Sequence, residues 1–472
     1  MRRRIRASVG VAVVALAAIA AALPLNGAAA PQQQGPAVVG GYFASWDVYG
    51  RGYEVKNIPA DGVTHLNYAF GMETADGLCA PADPWADFQR PIWDGANSVD
   101  GVADDPSNPN QHLFGNFNQL RKLKAAHPNL KILISVGGWT LSKYFSDVAL
   151  TQASREKFAK SCIDTFIKGN LPTGGWPENA GGPGAAAGLF DGIDIDWEYP
   201  VCCGNDGNVN RPEDRHNATL LFQELRKQLD AAAAGTGQPY LLTAALPAGN
   251  VRSIGSFELP DVAKTLDWIN LLTYDFHGSW DPWTNFNSPF ALDPADPTPA
   301  EFKPYFNTTG TVDFYLANGV PADKLVVGIP FYAKQYIRVP TGSNAGLYQS
   351  FDNTGLSPDT LQWDATPTPT YHDLIDVAKI LTPSSSIGNN AKGLQGYARY
   401  WSEQAGEPWL YNASTPRFGQ NVGVFISYDD PHSVAERVRL IRSEHLRGAK
   451  FWEVSQDDDA HGLANTLRPL IR

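Results

Sequence analysis

The sequence predicts an α/β protein built on a closed (β/α)8 TIM barrel, with a small α+β insertion between strands seven and eight. Eight apolar runs of strand length recur along the chain, from "AVVGGYFASW" near the amino terminus to "AKFWEVS" near the carboxyl terminus. Helix-period stretches such as "ATLLFQELRKQLDAAAA" separate several of these runs. Near-continuous apolar strands that alternate with helices indicate a parallel sheet covered by helices, and eight of them indicate a barrel.

Two long segments interrupt this alternation. The 472 residues greatly exceed the roughly 250 that such a barrel needs. Residues 72–115 are rich in Pro, Asp, Asn and Gly and are predicted to form a long loop after the second strand. Residues 333–422 are too long for a simple crossover, so we expect an inserted α+β module there. Residues 38–332 and 423–472 would then form the barrel.

The amino-terminal segment has the pattern of a secretory signal peptide. Arginines at positions 2, 3, 4 and 6 precede an apolar run from Val9 to about Leu25, and Ala28 to Ala30 follow. This order predicts a signal peptide over residues 1–30 and a secreted protein. A membrane anchor is less favoured because the apolar run is shorter than the roughly 20 residues of a spanning helix.

Composition restricts the partners of the protein. The formal net charge is −12 and the pI is near 5.2. Nucleic acid and anionic membranes bind clustered Lys and Arg, so we expect neither as a partner and favour a neutral substrate. We expect neither a metal nor an organic cofactor, and we expect a monomer because no heptad pattern is evident.

Four cysteines bear on the redox state of an exported chain. Cys79, Cys162, Cys202 and Cys203 permit one or two disulfides, and their pairing stays open at this point. A zinc site is less favoured because two of them are adjacent and no C-x-x-C pair or clustered histidine accompanies them.

The segment "LFDGIDIDWEYP", residues 189–200, places acids in an apolar strand. Asp194, Asp196 and Glu198 share one face because side chains alternate along a strand, and that face is predicted to line the barrel interior. Glu198 comes last, at the end of the strand where active sites of this fold lie. Asp191 is out of phase, and we expect a supporting role for it near the start of the strand.

Buried carboxylates cost several kcal/mol each unless they are paired or protonated, so function explains this stack better than stability does. A calcium loop is less favoured because the D-x-D-x-D-G order is absent. A structural ion-pair network would need inward basic residues, and "NLLTYDF", "ISVGGW" and "FWEVS" supply none. Neighbouring like charges raise the pKa of at least one acid, which makes Glu198 the candidate proton donor.

These residues resemble glycoside hydrolase family 18, whose hallmark D-G-x-D-x-D-W-E stands here from Asp191 to Glu198. Three further family signatures match in order: "SVGGW" on the third strand, "LTYDFHG" on the sixth and "KFWEVSQD" on the eighth. The resemblance extends from about Val38 to the carboxyl terminus. Two positions depart from it: Leu272 replaces the usual methionine, and Lys334 stands where an arginine is common.

The resemblance implies a chitinase that cleaves between N-acetylglucosamine units with help from the substrate's own acetamido group and with retention of configuration. It assigns the proton donor to Glu198 and supporting roles to Asp196, Asp194, Tyr274 and Asp275. Trp452 is the expected floor beneath the reacting sugar. Other candidates for sugar contact are Tyr42, Phe70, Gly138, Trp139, Asp191 and Trp280, with Trp283 as a further aromatic. For each of these aromatic side chains, ordinary packing is an equally favoured interpretation.

Two other functions stay open: an endo-β-N-acetylglucosaminidase that acts on N-glycan cores, and a non-hydrolytic chitin-binding protein. The intact Glu198 argues against a pure binding protein. The inserted module should wall one side of the cleft and suit a long linear polymer better than a branched glycan. Attack from a chain end or from within the polymer is not determined.

Overall fold

Eight parallel strands close the central sheet into a barrel within residues 36–249, 255–384 and 388–471, which the computed structural model describes. The predicted signal peptide, residues 1–30, lies outside the described residues. The strands in chain order are β1 (Val38–Ala44), β2 (His65–Glu73), β3 (Cys79–Pro81), β4 (Lys131–Gly137), β5 (Gly192–Asp196), β6 (Leu241–Pro247), β7 (Trp268–Leu272), β8 (Leu325–Pro330), β9 (Lys334–Ile337), β10 (Ala398–Ser402), β11 (Glu407–Arg417), β12 (Gln420–Ser427) and β13 (Gly448–Trp452).

Strand β1 closes the barrel, because it pairs in parallel with β2 on one side and with β13 on the other. Between them the neighbours run β13, β8, β7, β6, β5, β4 and β2. This arrangement confirms the (β/α)8 barrel predicted from the sequence. The short strand β3 folds back antiparallel onto the end of β2, inside the segment predicted to be a loop.

Helices cover the outside of the barrel. They are α1 (Gly115–Ala126), α2 (Phe145–Ala149), α3 (Gln152–Cys162), α4 (Asp214–Thr236), α5 (Leu259–Thr265), α6 (Thr308–Ala317), α7 (Pro431–Ser443) and α8 (Gly462–Leu467). In α4, Leu221, Leu225 and Leu229 recur every fourth residue and are buried on one face. Gly237 ends α4 in the left-handed conformation that glycine adopts without strain.

The main apolar core lies between the barrel and these helices. On β5, Ile193 and Ile195 point outward into this core, and Trp197 follows them with its ring stacked on Phe145 of α2 at 5.4 Å. Asp194, between the two isoleucines, therefore points inward. No helix in the described part of the chain is both long and apolar enough to cross a membrane.

A second, antiparallel sheet separates β8 from β13 in the chain, in the order β10, β11, β12, β9. It has an apolar cluster of its own, in which Tyr336, Tyr411 and Phe425 are buried together. Strand β12 extends to Ser427. The module bounds 333–422 stay a prediction, and their upper limit falls inside this strand.

Buried Arg437 ties the second sheet to the barrel. From α7, its guanidinium lies 2.5 Å from Glu407 on β11 and 3.0 Å from Asp429. It also donates to Ser288 Oγ at 2.9 Å, in the loop after β7. Three segments distant in the chain thus meet at one buried cation.

We expect Arg437→Met to lower the free energy of unfolding by about 3–5 kcal/mol, because two buried carboxylates would lose their counter-ion. Urea denaturation at pH 7 measures the loss. Arg439→Met is the matched control on the same helix, since Arg439 is 57% exposed and pairs only with Glu436 in the described structure. The control should change stability by less than about 1 kcal/mol; equal losses in both variants would contradict the role assigned to Arg437.

Candidate active site

A cavity of about 420 Å³ opens at the carboxyl ends of the barrel strands. In barrels of this kind the loops that follow the strands build the active site at this end. The residues lining the cavity are Trp46, Arg51, Phe70, Trp139, Thr140, Asp196, Glu198, Tyr199, Leu272, Tyr274, Asp275, Tyr332, Lys334, Thr368, Trp452 and Gln456.

Asp194 lies deepest in the acid stack and is fully buried. Its Oδ2 accepts hydrogen bonds from Ser135 Oγ at 2.8 Å and from Tyr42 Oη at 3.2 Å. Its Oδ1 accepts from Asn270 Nδ2 at 3.0 Å and from the Thr243 hydroxyl. Four donors from four different strands therefore complement this carboxylate, which offsets much of the free-energy cost of its burial.

Asp196 lies above Asp194 and is 4% exposed. Burial raises the pKa of Asp196 well above its usual range, and the charges of Glu198 and Asp194 raise it further. Its Oδ1 has no hydrogen-bond partner among the described residues. Asp196 can therefore hold a proton to higher pH than an ordinary aspartate, and its Oδ1 can accept a hydrogen bond from a ligand.

Glu198 lines the cavity from the loop that directly follows β5. Its backbone is anchored on both sides: its N–H donates to Ser142 Oγ at 3.0 Å, and its carbonyl accepts from Asn208 Nδ2 at 2.9 Å. This anchoring places the Glu198 side chain at the cavity wall rather than inside the barrel.

Tyr274 and Asp275 reach the cavity from the loop after β7. Burial raises the pKa of Tyr274 well above its usual range, and the charges of Asp196 and Glu198 add to the effect. Its hydroxyl therefore keeps its proton and can donate. Asp275 Oδ1 lies 2.5 Å from Lys334 Nζ, so this lysine supplies a positive charge at the position where the sequence departs from the family pattern.

Aromatic rings form one wall of the cavity around Trp452. Phe70 stacks on Trp452 with ring centroids 5.8 Å apart and planes 19° apart, and Tyr42 packs against it at 5.1 Å. Trp46 lies 6.4 Å from Trp452 and is 45% exposed. The sequence interpretation missed Trp46; its position directly after a barrel strand was the signal that could have indicated it.

Most of the predicted site residues line the cavity or contact a residue that does, but some lie outside the lining. Trp139 lines the cavity. Tyr42 lies outside the lining and donates a hydrogen bond to Asp194. Trp280 is 61% exposed and lies outside the cavity lining, with Lys334 Nζ 5.0 Å from its ring centroid. Trp283 is half-buried and also lies outside the lining.

Asp191 does not join the cavity. It lies at the opposite end of β5, where it pairs with Lys124 at 2.7 Å and Lys131 at 3.4 Å and accepts from the Ile132 N–H at 2.9 Å. These contacts tie α1, β4 and β5 together at the amino end of the barrel. Asp191 thus lies near the start of β5 and outside the cavity lining, whereas Phe70, Trp139 and Trp452 line the cavity.

One expectation about the barrel interior is wrong: an inward basic residue does face the acid stack. Lys450, on β13 two residues before Trp452, is 2% exposed, and its Nζ lies 4.5 Å from the ring centroid of Tyr42. Burial lowers the pKa of Lys450 to about 8, against the opposing effect of Asp194 and Asp196. The sequence signal was its two-residue spacing from Trp452, which places both side chains on one face.

A group of side chains that could hold a metal ion lies apart from the acid stack. His372, Asp376 and Asp459 offer ligand atoms within 4.8 Å of one another. His372 Nδ1 lies 3.2 Å from Asp376 Oδ2 and 3.6 Å from Asp459 Oδ1, so these side chains contact one another directly.

Comparison with known proteins agrees with this geometry. The sequence model of glycosyl hydrolases family 18 matches residues 38–457. Chitinase A1 of Niallia circulans is 38% identical over 88% of this chain and 56% of its own, and chitinase C of Streptomyces lividans is 36% identical over 88% and 57%. The chain thus spans little more than half the length of these curated relatives. The solved catalytic domain of psychrophilic chitinase B from Arthrobacter TAD20 is 33% identical, with a TM-score of 0.77 over 92% of this chain and 95% of that one.

We expect Gly138→Ala to disturb the aromatic wall. Gly138 has a φ of +88°, and a Cβ there would lie 2.5 Å from the Phe70 ring. Phe70 would have to move off Trp452, which should cost about 1–3 kcal/mol of stability and weaken binding of N-acetylglucosamine oligomers. Urea denaturation and tryptophan fluorescence titration measure the two effects.

Gly235→Ala is the control for this substitution, because a Cβ at this position in α4 meets nothing within 4 Å. It should raise stability by up to about 1 kcal/mol and leave oligomer binding unchanged. Unchanged binding in Gly138→Ala would show that the position of Phe70 does not depend on this glycine.

Proposed function

Because the chain belongs to glycosyl hydrolase family 18, we propose that it hydrolyses the β-1,4 bonds between N-acetylglucosamine units of chitin. The observation that carries the proposal is the stack of Asp194, Asp196 and Glu198, which leads from the barrel interior to an aromatic-walled cavity. A protonatable carboxyl at a sugar-sized cavity with a ring floor suits glycosidic bond cleavage.

In the proposed mechanism Glu198 is the general acid. It donates its proton to the glycosidic oxygen while the bond from that oxygen to the anomeric carbon breaks. The carbonyl oxygen of the substrate's 2-acetamido group attacks the anomeric carbon from the opposite face and forms an oxazolinium ion. Glu198, now ionised, then takes a proton from water as the water adds to the anomeric carbon from the face that the leaving group left. The bond between that carbon and the acetamido oxygen breaks in the same step, which restores the acetamido group and retains the configuration.

Asp196 orients the acetamido group in this mechanism. Its Oδ1 has no partner among the described residues and can accept the acetamido N–H. Its raised pKa lets it share a proton with Glu198 before the substrate binds. Four donors hold Asp194 in place beneath the pair.

Tyr274 would donate its hydroxyl proton to the acetamido carbonyl, which its raised pKa keeps available. Asp275, held by Lys334, would bind a sugar hydroxyl. Trp452 would lie under the pyranose ring, because the C–H face of a sugar packs on an aromatic plane while its hydroxyls reach polar groups.

A row of exposed tryptophans favours an extended polymer over the glycan core of a glycoprotein. Trp85, Trp93 and Trp176 are 40%, 64% and 51% exposed. The ring of Trp176 lies 6.2 Å from that of Trp85 and 5.9 Å from that of Trp93. Such an exposed apolar row is costly in water unless it has a partner, and stacked sugar rings of a chitin surface would cover it.

The segment that carries Trp85 is linked to the segment that carries Trp46 of the cavity wall. Trp46 in the cavity wall follows β1. Trp85 follows β3, which pairs with β2, the neighbour of β1 in the barrel. The two following segments are joined by a hydrogen bond from Tyr49 Oη to Asp83 Oδ2 at 2.7 Å. An insoluble polymer could therefore contact the tryptophans beside the entrance of the cavity.

Secretion belongs to the same proposal. Chitin is an insoluble polymer that cannot enter a cell, so its hydrolysis must take place outside, in agreement with a signal peptide over residues 1–30. We further propose that residues 333–422 form the inserted module and that the enzyme acts as a monomer without a metal or an organic cofactor.

We expect Glu198→Gln to lower the turnover of chitin hexasaccharide by about 10²–10⁴-fold, because it keeps the shape of the side chain but removes the proton. Wild type should release short oligomers whose new reducing ends are β-anomers, as seen by proton NMR immediately after cleavage. Exposed Glu301 supplies the control Glu301→Gln, which should match wild type.

The same assay run on a high-mannose glycoprotein separates the alternatives. Release of the glycan with no action on chitin would identify an endo-β-N-acetylglucosaminidase. Binding of hexasaccharide without cleavage by wild type would identify a binding protein and exclude catalysis by Glu198.

We expect the double variant Trp93→Ala/Trp176→Ala to lose about tenfold more activity on crystalline chitin than on soluble hexasaccharide, from roughly 0.5–1.5 kcal/mol for each aromatic contact. Release of soluble sugar measures both. Phe418→Ala removes an aromatic side chain that is 50% exposed, in the turn between β11 and β12, and should leave the ratio of the two activities unchanged. An unchanged ratio in the double variant would remove the tryptophan row from substrate binding.

A further inference from the structure

Lys450 is a buried cation that no hydrogen bond or ion pair in the described structure accounts for. Its Nζ is buried and has no partner among the described residues. Its side chain crosses the barrel interior beside Gly40 of the neighbouring strand, where a Cβ would lie 3.6 Å from Cγ and Cε of the lysine. Burying an ammonium without a direct partner costs several kcal/mol, so stability does not explain this residue.

The groups that face Lys450 come from three strands. Tyr42 on β1 presents its ring at 4.5 Å, and burial, with the charges of Asp194 and Asp196, keeps the Tyr42 pKa well above its usual range. His65 on β2 has a pKa lowered to about 3 by burial and by Lys450, so it is neutral. The charged groups that act on Lys450 are therefore Asp194 and Asp196 on β5.

Lys450 changes the pKa of Asp196 in the opposite direction to the other neighbours of Asp196. Burial raises the pKa of Asp196, as do the charges of Glu198 and Asp194, whereas the charge of Lys450 lowers it. Without this cation the buried acids would hold their protons to higher pH. Asp196 would then be neutral over more of the range in which it must stabilise a positive intermediate.

We propose that Lys450 is a positioning residue. From the barrel interior, its positive charge keeps the acid stack, and Asp196 in particular, ionised during catalysis. This inference rests on the proposed function, since it concerns how Asp196 comes to be ionised when an oxazolinium ion forms. Lys450 does not line the cavity, so in this proposal it acts only through Asp194 and Asp196.

Lys450→Met tests the inference, because methionine keeps most of the length and apolar volume and removes the charge. The acidic limb of the pH profile for hexasaccharide hydrolysis should move about one unit to higher pH. Above about pH 8 the two profiles should coincide in shape, since the Lys450 of wild type is then also neutral.

Two controls separate charge from packing. Lys450→Arg keeps the cation and should keep the acidic limb near its wild-type position even if its turnover falls. Lys264→Met makes the same chemical change at a side chain that is 75% exposed, and it should leave the profile unchanged.

Stability provides a readout that does not depend on activity. The pKa of Lys450 is lowered from 10.5 to about 8 in the folded protein, so folding favours its neutral form. The stability of wild type should therefore rise relative to that of Lys450→Met between pH 8 and 10.5, where only the unfolded chain holds the proton. A lysine with the same pKa in the folded and the unfolded chain would give a constant difference. This readout therefore tests the burial of Lys450, and the acidic limb of the pH profile tests its effect on the acids.

The outcomes are distinguishable. If wild type hydrolyses chitin and the acidic limb of Lys450→Met does not move, the inference about Lys450 is overturned and the proposed function stands. If wild type hydrolyses no N-acetylglucosamine polymer or glycan, the proposed function fails and the inference falls with it. A moved limb in Lys450→Met, with an unmoved limb in Lys264→Met, supports the inference.

Discussion

Burial of the Asp194 carboxylate is the constraint on which the rest of the site depends. A carboxylate inside a barrel is stable only if donors replace the water that it loses. These donors come from β1, β4, β6 and β7, and two of them, Ser135 and Thr243, lie directly beside Asp194 in the parallel register. The barrel must close in this register for the carboxylate to be satisfied, so the fold and the site stabilise each other.

Along the stack the number of hydrogen-bond donors falls from Asp194 to Asp196, and access to the cavity increases towards Glu198. Asp194 has four donors, Asp196 has an unpartnered oxygen and a raised pKa, and Glu198 reaches the cavity. This gradient gives neighbouring residues of the same type different chemical tasks. Environment rather than residue type then decides which group holds negative charge and which group can give up a proton.

The second sheet contributes a residue, Lys334, to the site. Lys334 is the first residue of β9, and its ammonium contacts Asp275 from the loop after β7. Arg437 joins the same sheet to α7 through Glu407 and Asp429. The position of Asp275 at the cavity is therefore coupled to the packing of a segment that is not part of the barrel.

Local patterns in the sequence determined the inward face of Asp194 and Asp196 and the separate phase of Asp191, because side-chain alternation is a property of one strand. The tertiary structure alone decided three contacts. Tyr42 donates a hydrogen bond to Asp194, Trp46 packs near Trp452 in the aromatic wall, and Lys450 faces the acids. These relations cross the interior between strands far apart in the chain. They depend on the closure and register of the whole barrel, which no single segment encodes.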